Sequence, residues 1–404
     1  MKKVFNNPFA SLKFRNFRIY WVGMNISLIG LWMQNIAQPW LALILTNDPS
    51  LVALVAVVQF LPPLFLTLIS GALVDKLDTK KMLLASQSGL MLVALGFTIM
   101  LLFFEASYTA ILVLAFLNGV FNSFDAPTRQ SIVYELVDDD KFMPNAIAIN
   151  SMSFNVARMI GPAVAGIVIA NLGIMYCFLF NAISYAAIII SLLFVRDRRV
   201  VKKAGYLNLF ASLKSGLIYI KESGVLKLCL TILLIMTLFL PHYNVTISAF
   251  AKFSLEGDEK TFGYLMSFLG VGSFLGALFI ASVGKLNLKQ ILITPFLCAF
   301  SLMMIGIFPN FYLAGLFLAM TGFFFVITSA SLNSTIQLNT KNEFRGRVMS
   351  MYAFIFQGSI PFGAMYSGVL VNKFSPNLGL IICAMSAIVF MSILILFYKT
   401  KEIV

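Results

Sequence analysis

Three charged side chains lie inside long apolar stretches of this sequence. Asp125 and Arg129 are four residues apart in one stretch, and Arg158 lies near the middle of the next. A charge at the centre of a membrane is unfavourable by about 2.5–3.5 kcal/mol even on insertion scales, so each charge needs a partner or a ligand. Arg158 can form a structural ion pair with Asp125, or it can control a proton on Asp125. Alternatively, it can bind an anion, most readily if Asp125 pairs with Arg129 one helical turn away.

Polar residues repeat with helical spacing in four of the apolar stretches. Side chains separated by three or four residues, or by multiples of this, share one face of a helix. The residues are Ser27, Gln34 and Gln38 in the first stretch, Asn118 and Asn122 with Asp125 and Arg129 in the fourth, Thr237, Asn244 and Ser248 in the seventh, and Ser329, Asn333 and Gln337 in the tenth. We predict that these faces line a polar cavity. The alternative is hydrogen bonding between packed helices, which stabilises by only about 0.6 kcal/mol per contact.

The elements that carry these residues are predicted to be membrane-spanning helices. Hydrophobic residues make up 60% of the chain and charged residues 11%, which is more apolar surface than a soluble core can bury. The mean hydropathy is +0.93. Apolar runs of at least about 18 residues recur, and continuous runs without alternation favour helices over a barrel. The sequence therefore predicts an all-α membrane protein with about twelve transmembrane helices.

The formal net charge of +13 is unevenly distributed along the chain. Lysine and arginine concentrate at the head, in the segments 76–81, 196–203, 285–289 and 341–347, and in the tail. The intervening loops carry mainly acidic residues, among them Asp48, Glu105 and Glu256. Because loops rich in lysine and arginine stay in the cytoplasm, both termini are predicted to be cytoplasmic. The charge therefore reports topology, and we expect membrane lipid rather than nucleic acid as a partner.

The chain is predicted to be a duplicated half. A polar linker, VRDRRVVKKAGYLN, separates six spans from six, and DKLDTKKML has the counterpart GKLNLKQIL in the second half. Three further positions match at one constant spacing, Phe142 with Phe344, Gly161 with Gly363 and Gly166 with Gly368. We predict an N-terminal six-helix half over residues 1–195, a cytoplasmic linker with an amphipathic helix over 196–222, and a C-terminal half over 223–404. Repeated halves with polar residues near the midplane are typical of secondary transporters.

The loop after the second apolar stretch carries a motif. Its residues fit the pattern G-x-x-x-D-(R/K)-x-G-x-(R/K)-(R/K) at Gly71, Asp75, Lys76, Lys80 and Lys81, with Asp78 in place of the second glycine. This pattern is a signature of the major facilitator superfamily, which the sequence resembles over essentially its whole length. The stretches NFRIYWVGMNISLIGLWMQ, ARMIGPAVAG and FRGRVMSMY are similar to the branch that contains enterobactin exporters and macrolide or multidrug efflux pumps.

The resemblance implies a major facilitator fold of twelve transmembrane helices in two pseudo-symmetric halves, with helices one, four, seven and ten around a central cavity. It also implies that the loop motif is a conformational latch. Gly71 would allow close helix approach, and Asp75 would accept hydrogen bonds or pair with a cation. The three lysines of the motif, Lys76, Lys80 and Lys81, need only anchor the topology.

The fifth stretch resembles the antiporter signature of the same superfamily. Gly161, Pro162 and Gly166 would allow a bend and tight helix packing. Ala157 and Ala165 stand where the family often has glycine. The resemblance further implies a monomer in the bacterial inner (cytoplasmic) membrane.

The sequence carries no Walker, GxSxG or HExxH motif. We therefore expect no enzyme activity, no cofactor and no metal, with the proton gradient as the energy source. The four cysteines, Cys177, Cys229, Cys298 and Cys383, stand singly in apolar runs, which argues against disulfides and zinc. His242 is the only histidine and can relay protons, although a hydrogen-bonded structural role is more common for such a residue.

Together these features predict a secondary transporter that exports an amphipathic small molecule, such as a drug or a siderophore, by alternating access and in exchange for protons. The 40 phenylalanines and 20 methionines would provide adaptable apolar walls. A cationic or neutral drug would use these walls, whereas an organic anion would use Arg158. Two alternatives stay open: a lipid or lysolipid flippase of the same fold, and a transport-inactive membrane receptor or scaffold.

Overall fold

The computed structural model describes residues 9–74, 77–196, 209–240, 242–283, 286–341 and 343–398. Almost all of these residues are helical, and twelve helical segments among them are long and apolar enough to cross a membrane. A bilayer accepts helices because each one satisfies its own backbone hydrogen bonds. The predicted all-α membrane protein with twelve spans is confirmed.

The first six spans are single long helices. They are α1 (Arg15–Thr46), α2 (Pro49–Val74), α3 (Thr79–Phe103), α4 (Tyr108–Leu136), α5 (Met143–Leu172) and α6 (Ile174–Phe194). A shorter helix, α7 (Leu209–Glu222), precedes the second six spans.

The seventh span, Gly224–Ser254, is not one regular helix. It consists of α8 (Gly224–Phe239), α9 (Tyr243–Ala249) and a π-helical turn at Phe250–Ser254. The remaining spans are α10 (Glu259–Val283), α11 (Leu288–Ile307), α12 (Phe311–Leu338), α13 (Arg345–Lys373) and α14 (Pro376–Tyr398).

The chain forms two compact units, and the first comprises the described residues of Met1–Leu41 and Leu61–Gly205. Its core contains large apolar side chains from four helices that are at most 1% exposed, namely Phe17, Tyr20, Leu83, Ile132 and Ile188. The rings of Phe97 on α3 and Phe178 on α6 stack with centroids 4.5 Å apart. This packing fixes α1, α3, α4 and α6, the helices whose polar side chains meet around Asp125.

The second compact unit comprises the described residues of Ala42–Phe60 and Tyr206–Val404. Its α10 and α12 approach each other so closely that their backbones touch. A Cβ atom at Gly272 would collide with the carbonyl group of Ala319, and one at Gly276 with that of Phe323. In lipid, helices associate through close packing rather than through the hydrophobic effect, so these glycines are a main reason that the two helices pair.

The end of α1 and the start of α2, Ala42–Phe60, belong to the second unit by their contacts; we call this segment the α1–α2 corner. Lys252 Nζ donates to Asn47 Oδ1 at 2.6 Å and to the carbonyl oxygen of Leu43 at 3.3 Å. Asn372 Nδ2 donates to Asp48 Oδ1 at 2.9 Å. The predicted halves divide the chain at the linker, whereas these hydrogen bonds tie part of α1 and α2 to helices that follow the linker.

Helix α7 lies within the linker for which we predict an amphipathic helix. The ring of Tyr219 stacks on that of Phe344 with centroids 4.4 Å apart, and the backbone N–H of Lys341 donates to Tyr219 Oη at 3.2 Å. Arg347 Nη1 donates to Ser215 Oγ at 2.8 Å. The last turns of α7 are therefore docked on the segment that leads into α13.

Candidate functional site

A buried ion pair on α4 joins Asp125 and Arg129. Arg129 Nε lies 2.6 Å from Asp125 Oδ2, one helical turn along the same helix. The other carboxylate oxygen, Oδ1, accepts hydrogen bonds from Gln87 Nε2 and, at 3.3 Å, from Ser86 Oγ. Both oxygens of the carboxylate thus accept hydrogen bonds, one from Arg129 and the other from Gln87 and Ser86.

Polar groups from α1 and α6 surround this ion pair. Ser27 Oγ accepts a hydrogen bond of 3.4 Å from Arg129 Nη2. The fully buried Tyr20 and Tyr185 lie close enough to interact electrostatically with both charges. Within the described part of the chain, Arg129 Nη1 and the hydroxyls of Tyr20 and Tyr185 have no hydrogen-bond partner. The ion pair therefore lies in a cluster of buried polar side chains, and the described residues of this cluster have donors and acceptors that make no hydrogen bond.

Arg158 on α5 lies against an aromatic ring. Its guanidinium carbon is 5.7 Å from the ring centroid of Trp32 on α1, which is the geometry of a cation–π contact. Of the two ion pairs considered for Asp125, the structure contains the one with Arg129 within α4. No sequence spacing relates Trp32 to Arg158, because the two residues lie on different helices, and Trp32 could not be predicted as its partner.

The predicted packing residues of α5 are Gly161, Pro162 and Gly166. Their spacing from Arg158 places them on the same side of the helix. Gly161 faces Trp32, and a Cβ atom there would collide with the Cβ atom of the tryptophan. Pro162 and Gly166 are buried. Gly161 thus lets α5 approach α1 at the turn next to the cation–π contact.

The polar stripes of α1 and α4 are directed into packed protein. Ser27, Gln34, Gln38 and Asn118 are at most 3% exposed. Gln34 Oε1 accepts a hydrogen bond of 2.6 Å from Asn181 Nδ2 on α6, and Asn122 Nδ2 donates to Asn118 Oδ1 at 2.5 Å. The contact of Gln34 with Asn181 is an instance of the alternative, hydrogen bonding between packed helices, whereas Asn122 and Asn118 bond to each other along one helix.

The stripe of α12 lines a cavity of about 530 Å³ in the second unit, together with residues of α13. The polar lining residues are Ser329, Asn333, Ser334, Gln337 and Tyr352. The apolar ones are Val326, Ala330, Leu338 and Phe356. Gln337 Nε2 donates to Asn333 Oδ1 at 2.6 Å, and Tyr352 Oη donates to the carbonyl oxygen of Ser329 at 3.4 Å. This cavity is small-molecule sized, since ligand pockets typically measure about 300–1,000 Å³.

The candidate residues of the seventh span differ in burial. Thr237 and Ser248 are buried and donate to backbone carbonyl oxygens of their own helices, whereas Asn244 is exposed. His242 is buried at the break between α8 and α9, with Nε2 3.0 Å from the carbonyl oxygen of Leu238. A Cβ atom at Gly363 would collide with the His242 ring, so the imidazole packs directly on α13.

The loop motif is described only in part. Gly71 lies in α2, whereas Asp75 and Lys76 lie outside the described residues. Asp78, which replaces the usual glycine, caps α3: its Oδ1 accepts a hydrogen bond of 3.0 Å from the backbone N–H of Lys81. Lys80 Nζ donates to the carbonyl oxygen of Val195 at 2.7 Å. The second half of the motif therefore starts α3 and ties it to the end of α6.

Comparison with known proteins gives a consistent family relationship. A family model described as "Transmembrane secretion effector" matches residues 6–403. The staphyloferrin A transporter of Staphylococcus aureus is 25% identical over 353 residues, covering 86% of this chain and 87% of the relative. The multidrug efflux pump Tap of Mycolicibacterium fortuitum is 25% identical over 83% of this chain and 84% of its own. Macrolide efflux protein A of Streptococcus pyogenes is 21% identical over 90% and 92%.

Solved structures share the fold. The nucleoside transporter NupG superimposes with a TM-score of 0.78 over 96% of this chain and 100% of its own, at 14% identity. A POT family transporter in complex with a thioalcohol-conjugated peptide superimposes with a TM-score of 0.76 over 96% and 97%, also at 14% identity. At this level of identity the likeness concerns the fold alone.

Proposed function

The chain belongs to the transmembrane secretion effector family of the major facilitator superfamily, and from that premise we propose that it exports an amphipathic small molecule in exchange for protons. It is a multi-pass membrane transporter and not an enzyme. The siderophore, multidrug and macrolide transporters that are similar to it support export and a small-molecule substrate.

The buried ion pair carries the proposal of proton exchange. A proton on Asp125 removes one charge of the pair and leaves the Arg129 guanidinium uncompensated in a buried site. Breaking a buried ion pair in this way is strongly unfavourable, by about 3–5 kcal/mol. Protonation thus biases the unit toward a conformation in which Arg129 finds other partners, and an alternating-access cycle needs a bias of this kind.

The same proposal includes a location and an energy source. We propose a monomer in the inner (cytoplasmic) membrane of a bacterium, in line with its bacterial relatives. The distribution of lysine and arginine over the loops supports cytoplasmic termini. The proton gradient supplies the energy and no cofactor takes part. Besides protons, lipid and the substrate, the transporter requires no partner in this scheme.

Purified protein in liposomes tests the exchange directly. The liposomes are prepared acid inside, and proton efflux is recorded as ethidium, erythromycin or a catecholate is added outside. We expect one of these probes to collapse the pH gradient in liposomes that contain the wild type or Asp258→Asn. No probe should collapse it in liposomes that contain Asp125→Asn. Collapse at the wild-type rate by Asp125→Asn would remove this carboxylate from the mechanism, and no collapse with any probe would reject proton antiport.

Asp258 is the matched control because it is a carboxylate outside the spans. Slight burial acts to raise its pKa, but hydrogen bonds from Thr261 and the charge of Lys260 hold that pKa below its ordinary value. The side chain therefore stays ionised throughout a neutral assay.

A further inference from the structure

We propose that the cavity between α12 and α13 binds an uncharged, hydroxylated ring of the transported molecule. This inference rests on the proposed function, because it assigns the substrate class that one part of the transporter recognises. It follows from three properties of the cavity lining: paired amides, lack of charge and an aromatic wall.

Two amide side chains supply the hydrogen-bonding capacity. An amide carries two N–H donors and an oxygen that can accept twice, and the contact from Gln337 to Asn333 uses one donor and one acceptor site. Asn333 also makes a side-chain hydrogen bond with Tyr352, and the other N–H groups and lone pairs of the two amides are left for a ligand. Hydroxyl groups, which donate and accept, match such a mixed set better than a carboxylate or an ammonium, which can only accept or only donate.

The lining has no charge to balance a charged ligand. None of its described residues is an acid or a base apart from the phenol of Tyr352. A carboxylate or ammonium entering this cavity would lose water without gaining a counter-charge, which is strongly unfavourable. A neutral hydroxyl can exchange its water for an amide at little net loss.

The apolar wall suits the face of a ring. Tyr352 and Phe356 are one turn apart on α13, with their rings inclined by 13° and their centroids 6.2 Å apart. Val326 and Ala330 of α12 also line the cavity. A saturated ring with hydroxyls at its edge and C–H groups on its faces would meet amides and apolar surface at the same time.

Four fluorescent probes that share a coumarin group distinguish the effect of ligand charge on binding from the effect of hydrogen bonding. They are 4-methylumbelliferyl glucoside, which is neutral, the corresponding glucuronide, which is an anion, the glucosaminide, which is a cation, and 7-methoxy-4-methylcoumarin, which lacks hydroxyls. Affinity for the purified full-length protein is measured by equilibrium dialysis. We expect the glucoside to bind at least about 10-fold more tightly than the other three, since each comparison removes several favourable contacts or adds an uncompensated charge.

Four variants test the contribution of single residues to binding. Asn333→Leu and Gln337→Leu should each weaken glucoside binding by about 3- to 10-fold, the range for one neutral hydrogen bond. Ser331→Val, on the same helix but outside the cavity lining, should bind as the wild type does. Asn333→Asp should reverse the preference in favour of the cationic glucosaminide, a gain that an unfolded variant cannot show.

Several outcomes would overturn the inference. These are equal binding of the three sugars, preference of the wild type for a charged probe, wild-type binding by both leucine variants, or no binding of any probe at millimolar concentration. Proton exchange in liposomes is read separately. Exchange with another probe but no glucoside binding would reject only this cavity assignment, whereas glucoside binding without proton exchange would reject only the coupled transport.

Discussion

Replacing Arg129 with methionine should destabilise the protein because it leaves a buried carboxylate without its counter-charge. Asp125 Oδ2 would lose the guanidinium nitrogen now 2.6 Å away, while Oδ1 would keep its donors Gln87 and Ser86. Removal of one partner from a buried pair costs about 3–5 kcal/mol. Because two neutral donors remain, we expect a loss of about 3 kcal/mol in the free energy of unfolding.

A second substitution distinguishes the effect of the uncompensated Asp125 charge from the effect of the packing lost with the Arg129 side chain. In the Arg129→Met background, Asp125→Asn removes the charge and should restore all but about 1 kcal/mol, the value of a neutral hydrogen bond. The free energy of unfolding is measured by reversible SDS titration in mixed micelles. Arg345→Met, at an exposed position, is the control and should change stability by less than about 0.5 kcal/mol. Equal destabilisation of the single and double variants, or no loss beyond that of Arg345→Met, would refute the argument.

Three further substitutions test the packing of single elements. Asp78→Ala removes the cap of α3 and should lower stability by about 1 kcal/mol, seen as a lower thermal midpoint, whereas Ser107→Ala, whose hydroxyl makes no cap bond, should leave that midpoint unchanged. Gly272→Leu should destabilise by about 1–3 kcal/mol because it forces α10 off α12; a wild-type yield of monodisperse protein would contradict this. Lys252→Met removes the hydrogen bond to Asn47 and should speed amide exchange in the α1–α2 corner by about 3- to 10-fold, and unchanged exchange there would exclude the tether.

The features that local spacing or composition dictates could be predicted from the sequence. The spans follow from run length and hydropathy, because the bilayer admits little else. Pairing of Asp125 with Arg129 was one of the possible arrangements, since helix geometry alone brings side chains four residues apart together. The contact of Arg158 with Trp32 was not foreseen, because it depends on how two helices rotate against each other. The docking of α7 on Phe344 escaped the sequence argument for the same reason.

Helical phase identified polar faces but not what they face. The stripe of α1 meets Asn181 of α6 and is closed by packing, whereas the stripe of α12 opens on a cavity. Both carry amides at the same spacing, so the pattern alone cannot separate the two outcomes. Asn181, the one amide in the sequence of the sixth span, was the available signal that the α1 stripe packs against a neighbouring helix. Tyr352 and Phe356 gave no comparable signal, because aromatic residues are abundant throughout this chain.

Stability alone does not explain the cluster of buried polar side chains around Asp125. Apolar residues of similar volume in place of a buried ion pair are often neutral or stabilising by about 1–4 kcal/mol. Here the described hydroxyls of Tyr20 and Tyr185 and Nη1 of Arg129 add further buried polar atoms, which the geometry leaves without a close hydrogen-bond partner. Under the proposed exchange, however, a proton on Asp125 frees the guanidinium, and the tyrosine hydroxyls are acceptors already next to it. The polar groups around the charged pair are therefore also those that would accept hydrogen bonds from the guanidinium once Asp125 is protonated.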